Sequence, residues 1–206
     1  MSKLKFYTNP WSRGRIVRWM LEELQVPYDV EVRGYDGDIK APDYLAINPM
    51  GKVPALMADK TIITETVAIC TWLADRFPEK GLAPALDSPL RGSYYRWLFF
   101  AAGPLEMAMS AKAFNWTIDK KIAQSVGCGM LEDVTNTLEG ALGSSPFICG
   151  DSFTTADLVL ASNLGWALSQ NQIDARPGFA DYVARMQQRE AARRANELDD
   201  ALVAAA

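Results

Sequence analysis

The order of the predicted strands and helices is the feature that most constrains the fold of this chain. Early in the sequence, short runs rich in β-branched and aromatic residues alternate with runs whose apolar residues recur at helical spacing. The predicted order is strand, helix, strand, then strand, strand, helix, at residues 4–7, 15–24, 28–32, 53–57, 61–64 and 65–76. The first three elements form a βαβ unit, which predicts a parallel pair of strands.

The pattern changes after Phe77. Four residues that interrupt regular structure follow, as is typical of a linker: Pro78, Gly81, Pro84 and Pro89. All later segments are predicted to be helical, at residues 90–113, 119–142, 154–168 and 180–197. We therefore predict an α/β thioredoxin-like N-terminal domain of residues 1–77, a linker of residues 78–88, and an all-α helical C-terminal domain of residues 89–206.

Two features of the composition exclude whole classes of mechanism. The chain contains no histidine, which excludes Ser-His-Asp and Cys-His nucleophiles and most metal-assisted hydrolysis. The three cysteines, Cys70, Cys128 and Cys149, form no CxxC pair, and their odd number indicates buried thiols rather than disulfides or a zinc site. No metal site is therefore expected, and Cys70 is predicted to lie in the core.

The charge and hydropathy patterns exclude two kinds of partner. The net charge is -4, and no basic run is interleaved with aromatic residues, so nucleic acid is not an expected partner. No stretch approaches the roughly 20 apolar residues that a membrane span needs. We expect a cytoplasmic protein that does not bind a membrane.

Three segments resemble those of the cytosolic glutathione transferases. They are residues 48–56 (NPMGKVPAL), residues 65–69 (ETVAI) and residues 7–15 (YTNPWSRGR), the last being similar to the serine-type members such as the theta and phi classes. The resemblance implies an enzyme that activates the thiol of glutathione, a co-substrate, as a thiolate that attacks a small hydrophobic electrophile. It also allows hydroperoxide reduction. The alternative is a non-catalytic, transferase-like module that binds glutathione or another protein.

The resemblance assigns the glutathione-binding residues. It implies a cis peptide bond before Pro54, with Val53 pairing with the cysteinyl backbone of glutathione, although Pro54 could instead only shape a turn. Glu65 would take the γ-glutamyl ammonium and Thr66, at a helix N-terminus, the carboxylate. The alternative is that Thr64 caps this helix and Glu65 merely complements its dipole. Two lysines fall near the expected position of the glycine carboxylate: Lys40 and Lys52.

The thiolate donor is predicted to be Ser12. A free thiol has a pKa of about 8.5, so a site of this kind must favour the anion, and lowering the pKa by about 2 units needs about 2.7 kcal/mol. A hydrogen bond from a hydroxyl and a nearby helix N-terminus can together supply this preference. Ser12 could instead be an ordinary N-cap. Asn9 is the second candidate, and Tyr7 is a weaker one because it is predicted to lie within the first strand.

Large apolar side chains are candidates for the electrophile pocket. Trp11 lies beside Ser12, and the helical domain offers Met107, Phe114 and Trp116, with Met109 nearby. In a helical domain such residues are more often part of the core. The resemblance, together with the aromatic segment 94–97, also predicts a homodimer.

Two further groups have structural interpretations. Arg13, Arg15 and Arg18 stand at the start of the first predicted helix, where the dipole disfavours cations. Either an anion lies nearby, or Arg18 pairs with Glu22 and the other two are solvated. Residues 154–157 (TTAD) predict a capping box at the start of a buried helix.

Overall fold

The computed structural model describes residues 3–205. Its internal contacts divide the chain into two compact units. The first contains the described residues up to Lys80 together with those from Arg189 onward, and the second is Gly81–Gln188. The predicted domain boundaries differ from this grouping chiefly at the C-terminus, because the last helix packs within the first unit.

The first unit is built on a four-stranded sheet of order β2-β1-β3-β4. The strands are β1 (Leu4–Thr8), β2 (Tyr28–Val32), β3 (Ala55–Ala58) and β4 (Thr61–Thr64). β1 and β2 are parallel, whereas β3 is antiparallel to both β1 and β4. The predicted βαβ opening is therefore confirmed, and the third strand begins two residues later than predicted, after Pro54, which has no N–H to donate to the sheet.

Helices α1 (Gly14–Leu24), α2 (Pro42–Leu45) and α3 (Thr66–Arg76) complete this part of the first unit. The core contains apolar side chains from β1, β3, α1 and α3, among them Phe6, Leu56, Val17, Leu21, Ile69 and Leu73. Cys70 on α3 is fully buried, as predicted, and burial raises the pKa of its thiol far above the usual range.

The last helix, α9 (Glu190–Ala204), packs on α1 and explains the arginines at the start of that helix. Arg18 Nε donates to Asp199 Oδ1 at 2.8 Å, and both side chains are buried. Arg15 bonds Asp200 at 2.7 Å. Of the two interpretations, the nearby anion is therefore confirmed for Arg18 and Arg15, and the pair between Arg18 and Glu22 is wrong, because the acidic partners come from a helix distant in sequence.

The second unit is helical. Its elements are α4 (Leu90–Phe100), a π-helical segment (Ala101–Leu105), α5 (Glu106–Ala113), α6 (Leu131–Leu142), α7 (Thr155–Ser169) and α8 (Phe179–Gln187). The predicted helix 90–113 is confirmed, and Pro104 accounts for its π segment, because proline cannot donate the usual backbone hydrogen bond.

Two predicted helices are wrong in part. The segment 119–142 is helical only at a short 3-10 turn, Ile122–Gln124, and at α6. Gly129 lies between them with φ of 62°, a left-handed conformation that ends a helix. The segment 180–197 is two helices rather than one, because Arg189 adopts an extended conformation with ψ of 138° between α8 and α9.

Asp157 anchors the second unit and confirms the predicted capping box. Its Oδ2 accepts the Thr154 N–H at 2.9 Å and the Thr154 hydroxyl at 3.1 Å. Its Oδ1 accepts the Ile148 N–H at 2.7 Å and the Tyr182 hydroxyl at 2.9 Å. Burial raises the pKa of Asp157, and these hydrogen bonds partly offset the rise. The role of this residue is structural.

Within residues 3–205, no helix combines the length and the apolar character that spanning a membrane requires.

Candidate functional site

The strand register of the first unit gathers four chain segments at one edge of the sheet. Thr8 pairs with Val32 and Tyr7 with Ala55, and Ala55 in turn pairs with Thr64. The segments that follow β1, β2 and β4 and the segment that precedes β3 therefore start from the same edge. These segments contain most of the residues predicted to bind glutathione or its thiol.

Ser12 lies in the tight loop between β1 and α1. Its hydroxyl donates to the Asn9 carbonyl oxygen at 2.7 Å and accepts the Gly14 N–H at 2.9 Å. The second bond supports the first turn of α1, although the N-cap residue is Arg13, so the alternative in which Ser12 is the N-cap is wrong. The half-buried side chain lies at the N-terminal end of α1, where the helix dipole favours an anion.

Gly14 permits this loop to be tight. A Cβ atom on Gly14 would lie 2.0 Å from Thr8 Oγ1 and 2.9 Å from Ser12 Oγ. With a larger residue at this position, the Thr8 and Ser12 side chains would have to shift. Glycine at this position therefore fixes where the Ser12 hydroxyl lies.

Asn9 connects two segments of the sheet edge. Its side-chain oxygen accepts the Trp11 N–H at 2.9 Å, and its Nδ2 donates to the Arg33 carbonyl oxygen at 2.8 Å. Asn9 is buried, so these bonds hold the loop after β1 against the segment after β2. Tyr7 lies within β1, as predicted, and packs in the core with its ring centroid 5.7 Å from that of Tyr44.

Tyr35 lies in the segment after β2 and is half-exposed, and the sequence did not indicate its position. Burial raises the pKa of Tyr35, while the Ser12 side chain and the charge of Arg13 oppose the rise. The strand register places the segment that contains Tyr35 beside the Ser12 loop, and no local motif indicates this proximity.

The segment before β3 contains the cis peptide bond that the resemblance implied, between Val53 and Pro54. The preceding carbonyl, that of Lys52, is fixed by hydrogen bonds of 2.7 Å from the Tyr44 hydroxyl and from Asn48 Nδ2. Val53 is half-buried and packs against a cluster that includes Tyr44. The backbone around Val53 is therefore held rigidly at the sheet edge.

The two predicted lysines differ in their surroundings. Lys40 Nζ donates to the Met50 carbonyl oxygen at 2.8 Å, which ties its ammonium to the loop before β3. The Lys52 side chain is exposed. Both therefore lie in or against this loop.

Glu65 stands at the N-terminus of α3 in an unusual conformation. Its φ is 69°, which is uncommon for a residue other than glycine, and its side chain is exposed. Such strain in an exposed position is a feature of ligand sites. Thr66 is the first residue of α3, so its N–H has no carbonyl partner within the helix. The alternative in which Thr64 caps α3 is wrong, because Thr64 belongs to β4 and Glu65 is the N-cap residue.

The predicted pocket residues are distributed over both units. In the first unit, Trp11 is 69% exposed beside Ser12. In the second unit, Phe114 and Trp116 are exposed with stacked rings 5.9 Å apart, and Met107 is half-buried on α5. Trp116 also lines a cavity of about 320 Å³ in that unit. Met109, by contrast, is buried in the core.

Comparison with known proteins identifies the family. The model described as "Glutathione S-transferase, N-terminal domain" matches residues 10–76, and the corresponding C-terminal domain model matches residues 129–185. Glutathione S-transferase GstA of Escherichia coli O157:H7 is 34% identical over 164 residues, or 79% of this chain and 78% of that protein. The chain belongs to the glutathione S-transferase family.

Solved structures resemble this transferase over nearly its whole length. A glutathione transferase from Methylococcus capsulatus strain Bath shares 27% identity with a TM-score of 0.79, covering 96% of this chain and 98% of that one. A homologue from Sulfitobacter, with bound glutathione, shares 26% identity with a TM-score of 0.75, covering 96% and 98% of the two chains. The predicted fold class and enzyme class are thus confirmed, whereas the serine-type subclass stays a prediction.

Proposed function

We propose that this transferase binds glutathione at the sheet edge of the first unit and ionises its thiol for attack on a small hydrophobic electrophile. The observation that supports this most directly is the convergence of the Ser12 loop, the Val53–Pro54 segment and the N-terminus of α3 at that edge. The related Sulfitobacter structure was solved with glutathione bound. The cis bond before Pro54 adds to this support.

The γ-glutamyl end of glutathione carries a carboxylate and an ammonium. In our proposal the Thr66 hydroxyl and N–H hold the carboxylate, where the dipole of α3 favours an anion. The exposed Glu65 carboxylate takes the ammonium. The Glu65 carboxylate and the positive end of the α3 dipole then match the two charges of the ligand.

The remainder of the tripeptide follows the loop before β3. The Val53 backbone pairs with the cysteinyl backbone, in a short case of strand addition. Lys52 and Lys40 neutralise the glycine carboxylate. For Lys40 this requires that its ammonium keep or exchange its bond to the Met50 carbonyl oxygen.

The thiol chemistry is assigned to Ser12, in the manner of the serine-type members. Its O–H donates to the sulfur anion, while Asn9 acts mainly by holding the loop through its bonds to Trp11 and Arg33. Conjugation then forms a sulfur–carbon bond as the electrophile's leaving group departs with its electron pair. Trp11, which is exposed beside Ser12, supplies apolar surface for the electrophile, and Met107, Phe114 and Trp116 of the second unit stay predictions for its pocket. Hydroperoxide reduction is a further reaction of the same thiolate.

A homodimer is also part of the proposal. Tyr94 and Trp97, from the segment that suggested it, lie in the core, but Tyr95 and Phe99 on α4 are exposed, Phe99 by 72%. A contiguous exposed aromatic face is typical of protein interfaces. Sedimentation should show a species of twice 22.7 kDa at micromolar concentration. A species of the monomer mass would contradict the dimer.

Binding and turnover test the proposed function. The purified protein should be retained on immobilised glutathione and should conjugate glutathione to a small aryl halide or reduce an organic hydroperoxide. Glu65→Gln should weaken glutathione binding by about 1.5 to 3 kcal/mol, or roughly ten- to a hundredfold, because one charge-assisted bond is lost. Calorimetry measures this change.

Glu79→Gln is the matched control. Glu79 is an exposed glutamate in the turn Pro78–Lys80, at the opposite end of α3, so its substitution should leave the affinity unchanged. Equal affinities for wild type and Glu65→Gln would remove Glu65 from the site. If the wild-type protein is not retained on glutathione and shows no turnover, a non-catalytic interaction module is favoured instead.

A further inference from the structure

The Arg15 side chain joins the C-terminal helix to the loop that contains Ser12. Arg15 is the second residue of α1, and its Nε donates to the Pro10 carbonyl oxygen at 2.7 Å. Its Nη2 donates to Asp200 Oδ1, on α9, also at 2.7 Å. Because the guanidinium is planar and its N–H groups form a fixed fork, the position of Asp200 sets the direction of the bond to Pro10.

The bond to Pro10 fixes the peptide group that precedes Trp11. The Pro10 carbonyl and the Trp11 N–H belong to one rigid plane. Arg15 Nε holds the carbonyl oxygen, and Asn9 Oδ1 accepts the Trp11 N–H at 2.9 Å. The plane is therefore held at both of its polar groups. A rotation of this plane would change the path of the chain into Ser12, the next residue after Trp11.

Asp200 stands on a helix that is itself anchored to α1. One residue earlier, the buried Asp199 accepts a hydrogen bond of 2.8 Å from Arg18 Nε. Just before the start of α9, Arg189 donates to both carboxylate oxygens of Glu23, at 2.6 and 2.8 Å. The helix is thus fixed near both of its ends, and it carries the Asp200 carboxylate in a defined position.

The ion pair between Arg15 and Asp200 is exposed enough that its loss should not unfold the protein. The Arg15 side chain is 32% exposed and the Asp200 side chain 67%. Ion pairs in such positions contribute little to stability, because water and salt screen their charges. We therefore expect the effect of this pair in the loop that it orients rather than in the unfolding equilibrium.

We propose that Asp200 is a positioning residue for the thiol chemistry: through Arg15 it holds the Pro10–Trp11 peptide and keeps the Ser12 hydroxyl where it donates to the glutathione sulfur. This inference rests on the proposed function. Asp200 acts through Arg15, which lies 185 residues away in sequence. The C-terminal helix thereby takes part in ionising the thiol.

The sign of the effect separates positioning from a simple charge effect. A carboxylate that acted on the sulfur through its charge alone would disfavour the thiolate, so its removal would lower the pKa of the bound thiol. Removal of a positioning group has the opposite result, because the Ser12 hydroxyl then bonds the anion less well. The direction of the shift in the thiol pKa therefore distinguishes the two roles.

Asp200→Ala tests the proposal through the ultraviolet absorbance of bound thiolate against pH, together with kcat and KM for glutathione. The pKa of the bound thiol should rise by about half a unit, and kcat below that pKa should fall about threefold. The shift is smaller than in Ser12→Ala because Asn9 still holds the Trp11 N–H. KM should change little, and the thermal unfolding midpoint should move by less than about 4 °C.

Three further variants separate geometry from charge. Asp200→Glu keeps the carboxylate and should restore most of the wild-type titration. Arg15→Lys keeps the positive charge but loses the fork, so it should raise the thiol pKa as Asp200→Ala does. Glu197→Ala removes the same charge from an exposed position on α9 and should titrate as wild type.

Combining Asp200→Ala with Ser12→Ala tests whether Asp200 acts through Ser12. In that case the double variant should titrate as Ser12→Ala alone, because the hydroxyl that Asp200 positions is already absent. A further upward shift in the double variant would show that Asp200 acts independently of Ser12, and would overturn the inference.

Other outcomes separate this inference from the proposed function. A normal thiolate band in the wild-type protein, with an Asp200→Ala titration that is unchanged or shifted downward, refutes the positioning role alone. An Asp200→Glu variant that titrates as Asp200→Ala does, together with a wild-type titration for Arg15→Lys, also refutes it. No thiolate band in the wild-type protein refutes the proposed function, and this inference with it.

Discussion

The substitution Ser12→Ala tests the thiol chemistry most directly, and the hydrogen bonds of Ser12 set the expected shift in the pKa of bound glutathione. In the absence of ligand the Ser12 proton already bonds the Asn9 carbonyl oxygen at 2.7 Å. Donation to a thiolate therefore exchanges a neutral hydrogen bond for a charged one. These contribute about 0.5–1.5 and 1.5–3 kcal/mol, so the exchange favours the anion by about 1–1.5 kcal/mol.

This free energy converts into a modest shift in the pKa. At about 1.36 kcal/mol per unit, Ser12→Ala should raise the pKa of bound glutathione by about one unit. Turnover at a pH below that pKa should fall about tenfold, because the thiolate fraction falls in proportion. Affinity for glutathione should change little, since the contact strengthens only when the sulfur is charged.

The assay compares the thiolate absorbance of the complex over a pH series with the affinity from calorimetry. Asn9→Ala and Tyr7→Phe are measured beside Ser12→Ala, and thermal unfolding checks each fold, because the Gly14 N–H loses its acceptor in Ser12→Ala. Tyr7→Phe should titrate as wild type. If Ser12→Ala keeps the wild-type titration while Asn9→Ala raises it, Asn9 is the donor and the Ser12 hydroxyl only supports the start of α1.

Three further predictions concern the supporting structure. Gly14→Ala should cost about 1–3 kcal/mol of stability in denaturant unfolding and raise the thiol pKa, since its Cβ would displace the Ser12 hydroxyl. Asp157→Asn should destabilise the protein by about 1–3 kcal/mol, because each Asp157 oxygen accepts two donors and an amide nitrogen leaves one backbone N–H unpaired. Burial and the hydrogen bond with Glu22 raise the pKa of Tyr28 from 10.0 to about 12. The protonated Tyr28 side chain therefore contributes fully to the free energy of unfolding below pH 10, and this contribution is lost as the pH rises to about 12. Tyr28→Phe should flatten the alkaline fall in unfolding free energy, and an unchanged slope would contradict that assignment.

Local patterns were sufficient to predict most of the first unit. The second strand was predicted at its observed bounds, because a tyrosine and two alternating valines follow the proline that comes after α1. Motif and spacing predicted that three residues lie in the glutathione site: Val53, Glu65 and Thr66. The strand register explains this, because the segments before β3 and after β4 lie at the same edge of the sheet. Their contacts with glutathione stay a prediction.

Features that depend on distant contacts could not be predicted. Arg18 pairs with a carboxylate 181 residues away, and helical spacing offered the nearer Glu22 instead. The helix predicted at 119–142 is wrong in part. Apolar residues recur across the segment and suggested one helix, but Gly129 adopts a left-handed conformation and divides it. The position of Tyr35 was missed for a similar reason, since only the pairing of β1 with β2 places its segment beside the Ser12 loop.

The absence of histidine makes a last prediction about the pH dependence of turnover. With no imidazole in the chain, the proposed site contains hydrogen-bond donors and a helix dipole but no general base that titrates near neutral pH. The thiol itself is then the only group whose ionisation switches on the reaction.

Because the pH profile of kcat reports ionisations of the enzyme–substrate complex, kcat should rise through a single step. The midpoint of that step should equal the midpoint of the absorbance titration of bound thiolate. In Ser12→Ala both midpoints should move upward together. A kcat midpoint that stays fixed while the thiolate titration moves would show that another group of the protein accepts the proton, and that stabilising the anion is not how this site activates glutathione.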